Sequence, residues 1–167
     1  MRFQALKQTL EPLECIGSAY DRGLMQGEFC KKQIHLCFNA VFQSELFFLL
    51  KRDRWPESWA RNMTLLQARL SLATLLKRKA PEVWAYLQGL SAGSAYSLDY
   101  FLLFHQLEYL LGHRQVPLTS GSILMIPARF SALEEPILIR NFDTPYFLRA
   151  FNLFRQNSPD QGLKSLE

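Results

Sequence analysis

At 167 residues the chain has the length of one domain, and 49% hydrophobic residues supply enough apolar side chains for a true core, which excludes a disordered chain. A net charge of +4, from 19 basic against 15 acidic residues, is too mild to mark a nucleic-acid-binding protein, and no recognition motif accompanies it. Three cysteines, Cys15, Cys30 and Cys37, form no CxxC pair, so neither a disulfide framework nor a zinc site is expected, and the default compartment is reducing and cytoplasmic.

The opening residues, MRFQALKQTLEPLE, lack the apolar core of a secretory signal. No window approaches the roughly 18 uninterrupted apolar residues of a membrane span, so no membrane partner is expected. A short strand ending at Cys15-Ile16-Gly17 is predicted, followed by one long helix to about Leu50. Ser18 is its predicted N-cap, with Asp21 completing a capping box. Gly23 and Gly27 fall on one face of that helix; since glycine weakens a helix, the pair predicts close backbone packing against another element.

Pro56 and Glu57 open a second helix in which Trp59, Met63, Leu66, Leu70, Ala73 and Leu76 recur every three or four residues as an apolar stripe. Arg61, Arg69, Lys77, Arg78 and Lys79 read as its solvated basic face, the last three also complementing the helix dipole. Pro81-Glu82 starts a third helix with Gly93 as its expected C-terminal cap, and Ser97 caps a fourth, LDYFLLFHQLEYLL, apolar nearly all round and therefore central. His105 on that helix reads as a core or boundary histidine, because no second ligand stands at metal-binding spacing.

After His113 the pattern changes. The runs Ile123 to Ile126 and Pro136 to Ile139 are too short for helices and predict two buried, adjacent strands. The tail RQNSPDQGLKSLE reads as linker. The resulting division is a mostly helical region over 1–121, a β-hairpin over 122–155 and a tail over 156–167.

Three stretches together resemble one family: GSAYDRGLMQGE (Gly17 to Glu28), YLQGLSAGSAYSLDYFLLFHQ (Tyr86 to Gln106), and GSILMI followed by PILIRNFD. The family is the acyl-coenzyme A:6-aminopenicillanic acid acyltransferase-like group of N-terminal nucleophile hydrolases, relatives of the choloylglycine hydrolases. The resemblance implies an α+β chain in which a helical pro-segment precedes the first strands of an αββα sandwich. It also implies a precursor that cuts itself, and a mature enzyme that cleaves or transfers an acyl group at a linear amide without a cofactor.

On that resemblance Ser122 takes the nucleophile position, Gly121 supplies the carbonyl of the cleavage site, and Asp143 holds the new α-amine. Arg140 is expected on a common alternation phase with Asp143, positioning it and the charged intermediate, while Asn141 is mainly structural. Ser120 and Thr119 stand close enough to be the aligned position instead. The family's usual nucleophile is cysteine, so three readings stay open: a natural serine enzyme, a cysteine-to-serine form that stalls the precursor, or an inactive descendant. Family members continue through further strands, so the rest of the sheet and the oxyanion hole are expected past Glu167. The expected partners are a small amide or acyl substrate and the remainder of the precursor, with a homo-oligomer possible. The rival reading is a non-catalytic helical module that binds a protein through its apolar surplus and basic helix.

Overall fold

The computed structural model describes residues 12–50, 56–112, 120–143, 148, 151, 153, 155–162 and 164–166. The chain is α+β and mostly helical. Strand β1 (Leu13–Gly17) leads into α1 (Ala19–Phe29), α2 (Lys31–Phe42), α3 (Glu45–Leu50), α4 (Glu57–Lys79), α5 (Pro81–Ser94) and α6 (Leu98–Gly112). Strands β2 (Ser120–Ile126), β3 (Ile137–Asp143), β4 (Arg155–Pro159) and β5 (Ser165–Leu166) follow.

The expected capping box starts α1. The Ser18 hydroxyl accepts from the Asp21 N–H at 3.2 Å, and the Ser18 N–H donates back to the Asp21 carboxylate at 3.2 Å. The single long helix expected to run to Leu50 is instead three. The chain leaves helical geometry at Cys30, whose φ and ψ are −95° and 11°. It turns again at Ser44, whose hydroxyl donates to the Val41 carbonyl at 2.6 Å and accepts from the Phe47 N–H at 3.4 Å. That side chain offers the backbone an alternative to continuing the helix.

Gly23 and Gly27 do mark a close approach, and the partner is α5. A methyl group at Gly27 would lie 2.7 Å from the Leu90 carbonyl oxygen and 2.8 Å from the Ser94 nitrogen, and one at Gly23 would collide with the Tyr86 carbonyl. Gly89 and Gly93 answer from the opposite helix, against the backbone of Tyr20 and Leu24. Two glycines four residues apart on each helix let the backbones touch. Gly93 is thus not the helix cap expected from the sequence: α5 continues past it, and Ala95 takes the left-handed cap conformation at φ 54°.

The core lies between α2, α3, α4, α5 and α6, with Phe38, Phe42, Phe47, Ala68, Leu87, Leu90, Phe101, Leu102 and Leu103 buried together. Helix α6 is central as predicted, and four of the thirteen phenylalanines, Phe38, Phe42, Phe47 and Phe101, are buried here. Phe38 stacks on Tyr96 with centroids 5.0 Å apart and meets Phe101 edge-on at 5.3 Å, while Phe42 meets Phe47 at 4.8 Å. Edge-to-face pairs of this kind add about 0.5–1.5 kcal/mol each beyond their area burial. His105 takes the boundary alternative: it reaches the surface of α6, yet burial of its ring lowers its pKa from the ordinary imidazole value.

Two small sheets accompany the helices. In one, β1 pairs in parallel with β4, placing Cys15 beside Asn157, and β5 adds an antiparallel strand to β4. Residues expected to be linker are therefore strand, because the edge of β1 offers their backbone a hydrogen-bonding partner that local sequence cannot reveal. The other sheet is the antiparallel pair β2–β3. No helix among the described residues is long and apolar enough to cross a membrane.

Candidate functional site

The β2–β3 hairpin carries the residues singled out by sequence. Each run of β-branched and aliphatic residues is too short for a helix, and pairing satisfies the backbone groups that face each other across the two strands. The register places Ser122 opposite Asn141, Ser120 opposite Asp143, Gly121 opposite Phe142 and Ile123 opposite Arg140. Facing Cα atoms in such a ladder stand about 4.5–5.5 Å apart. Thr119 lies outside the described residues.

Alternation along a strand has a period of two, so the pair Ser122–Asn141 and the pair Ser120–Asp143 share one phase of the ladder. Arg140 does not. It is three residues from Asp143, an odd spacing, and occupies the other phase with Ile123. The common phase expected for Arg140 and Asp143 is therefore corrected, and the position in phase with Asp143 on β3 is Asn141. Adjacency of the two strands agrees with the sequence reading, but burial at the turn end does not: Leu124 and Met125 are exposed, and so are Phe130 and Leu133 in the connection.

A second polar cluster was missed by sequence reasoning. Arg155 at the start of β4 donates to the Gln26 side-chain oxygen on α1 at 2.6 Å and to the Tyr86 hydroxyl on α5, and the Tyr86 hydroxyl donates to the same Gln26 oxygen. The guanidinium also lies 5.0 Å from the Tyr86 ring centre. One side chain thereby ties β4 to the glycine-seamed helix pair. The available signal was the repeated glycine spacing, Gly23 with Gly27 and Gly89 with Gly93, which predicts that α1 and α5 meet; Arg155 itself gave none.

Cys30 stands within electrostatic reach of Arg155 in this cluster. Burial pushes the Cys30 thiol up to about 11, with the neighbouring Cys15 adding to the rise and Arg155 opposing it. Burial alone takes Cys37 up to about 12. A thiol that stays protonated at neutral pH is a poor nucleophile, which fits a packing role for Cys30 and Cys37. One buried acceptor, the Gln106 side-chain oxygen on α6, lacks a donor among the described residues. No protein-family model matches the chain, and no curated protein matches it.

Proposed function

We propose that the chain belongs to an N-terminal nucleophile amidohydrolase or acyltransferase precursor, acting on a small linear amide in a reducing, cytoplasmic setting. In this reading β2 and β3 are the first strands of an αββα sandwich and the helices before them are its pro-segment. The observation that carries it is the hairpin register, which sets Ser120 to Ser122 across from Asn141 to Asp143.

The chemistry follows from the residue types. A hydroxyl needs a base to become a useful nucleophile, and a free α-amine, with a pKa of about 7.7–8.0, can serve its own residue in that role. The amine must first be released. The Ser122 hydroxyl attacks the Gly121 carbonyl carbon, the Gly121–Ser122 C–N bond breaks as its nitrogen takes up a proton, and water hydrolyses the resulting ester. This leaves a carboxylate on Gly121 and a free amine on Ser122. Glycine before the nucleophile tolerates the backbone strain that such an attack needs.

In the mature enzyme the Ser122 hydroxyl would attack a substrate amide while Asp143 holds the α-amine. Arg140, on the other phase of the ladder, would act through its charge on the sheet rather than beside Asp143. The test is the N-terminal sequence of the products of the full-length gene. A fragment beginning at Ser122, formed more slowly when Asp143→Asn is introduced and absent in Ser122→Ala, supports the reading. A product beginning elsewhere contradicts it.

The rival reading, a protein-binding helical module, is favoured by one observation: the apolar stripe predicted on α4 is largely exposed.

A further inference from the structure

Strand β4 follows the hairpin in the chain, yet it is seated on elements that precede the hairpin. It pairs in parallel with β1 over five residues, from Leu13 opposite Arg155 to Gly17 opposite Pro159. The middle of this ladder is closed to water: Cys15 and Asn157, which face each other there, are both buried. At its first position Arg155 reaches past β1 to two helices, donating to the Gln26 side-chain oxygen on α1 at 2.6 Å and to the Tyr86 hydroxyl on α5. Hydrogen bonds from a charged donor are roughly twice as strong as neutral ones.

The seat is built without the strand. Gly23 and Gly27 on α1 meet the backbone of α5, and Gly89 and Gly93 on α5 meet the backbone of α1. This contact holds Gln26 and Tyr86 at a fixed separation, and the Tyr86 hydroxyl donates directly to the Gln26 oxygen. Arg155 therefore meets two acceptors already in place. A site ordered in advance loses little conformational freedom when its occupant arrives, so more of the contact energy is left for binding.

The order of elements gives this joint a consequence. The link from α6 to β2 separates β1, α1 and α5 on one side from the hairpin and β4 on the other. A break in that link divides the chain into a helical piece and a strand piece. Among the described residues, the backbone ladder that joins the two pieces is β1–β4. We propose that β1, α1 and α5 form an interaction surface for the β4 segment as a separate chain, so that the two pieces stay together after the backbone between them is cut. Combined with cleavage at Gly121–Ser122, the reading on which this further step rests, the helical region becomes a lasting subunit instead of a released pro-segment.

The experiment uses the chain with Ser122→Ala, so that self-cleavage makes no contribution, and with a recognition sequence for a site-specific protease inserted between Gln115 and Val116. After digestion, light scattering during gel filtration should give the mass of the uncut chain, while a denaturing gel shows two pieces. Arg155→Met should make the cut pair separate on dilution at a concentration about tenfold higher, as loss of a charge-assisted hydrogen-bond donor implies. Tyr86→Phe, which keeps the ring and removes the hydroxyl, should move the separation in the same direction by less, and it serves as the test if the Arg155 variant does not fold.

Pieces that part or precipitate on digestion, or a cut pair whose separation neither variant moves, would overturn the proposal. Because an added protease makes the cut, failure of the joint leaves self-cleavage at Gly121–Ser122 standing. A chain that never cuts itself likewise leaves the joint standing.

Discussion

Helices α1 and α5 and helix α4 solve the same problem in opposite ways. The first two present glycine to each other and close their contact within the chain, to the point where backbone meets backbone. The third presents Met63, Leu66 and Leu70 outward, where they are exposed. The lesson is that an apolar stripe read from sequence fixes a helix face but not what covers it. Small residues at matched spacing on two helices are more informative, since each is costly unless the other is present.

The largest expected effect comes from filling the closed contact. Gly89→Val or Gly23→Val would force α1 and α5 apart, because the added carbons meet the backbone carbonyls of Tyr20 or Tyr86 rather than a movable side chain. A loss of about 3 kcal/mol or more in denaturant unfolding is expected. An unchanged midpoint would mean that the helices are not in backbone contact.

Next comes the cluster that holds β4 to this pair. Arg155→Met removes the donor shared by Gln26 and Tyr86, and should cost about 1–3 kcal/mol and free β4 from β1 to fast amide hydrogen exchange. Exchange in β1 and β4 that stays as slow as before would show that strand pairing alone holds them.

A smaller effect should appear at high pH. The folded-state pKa of Cys37 is raised from 9.0 to about 12, so the folded state keeps its proton where the unfolded chain has lost it. Its contribution to stability is complete below about pH 9 and declines as pH rises toward 12, because the unfolded state then binds fewer protons. Cys37→Ala should flatten that decline relative to the unsubstituted chain in urea titrations at pH 8 and pH 11. Equal slopes would place Cys37 in contact with water.

The smallest effect on stability belongs to the exposed stripe. Leu70→Glu is expected to change monomer stability by less than about 0.5 kcal/mol, as surface substitutions usually do. A large destabilisation would show that the stripe is covered within the chain after all, and would erase the contrast with α1 and α5.

Much of the helical layout was legible in the sequence because its signals are local. Ser18 with Asp21, Pro56 before Glu57 and Pro81 each act within one turn of the helix they start, and the structure follows them. The breaks at Cys30 and Ser44 were not legible, since the side chains around them are compatible with a continuing helix. Nor was β4, whose residues become strand only beside β1, about 140 positions earlier in the chain. In the candidate site the two strands were legible from their short apolar runs. The phase of Arg140 was not extracted correctly, although the odd spacing from Asp143 was there to be counted.

The central claim is that the peptide bond between Gly121 and Ser122 is the seam between a pro-segment and a catalytic sheet. Its most direct test is the intact mass of the full-length gene product followed over a long incubation, for the chain with Ser122 and for Ser122→Cys. Two fragments whose masses place the break before residue 122, appearing in at least the cysteine form, is the predicted result. A chain that stays whole in both forms would contradict it.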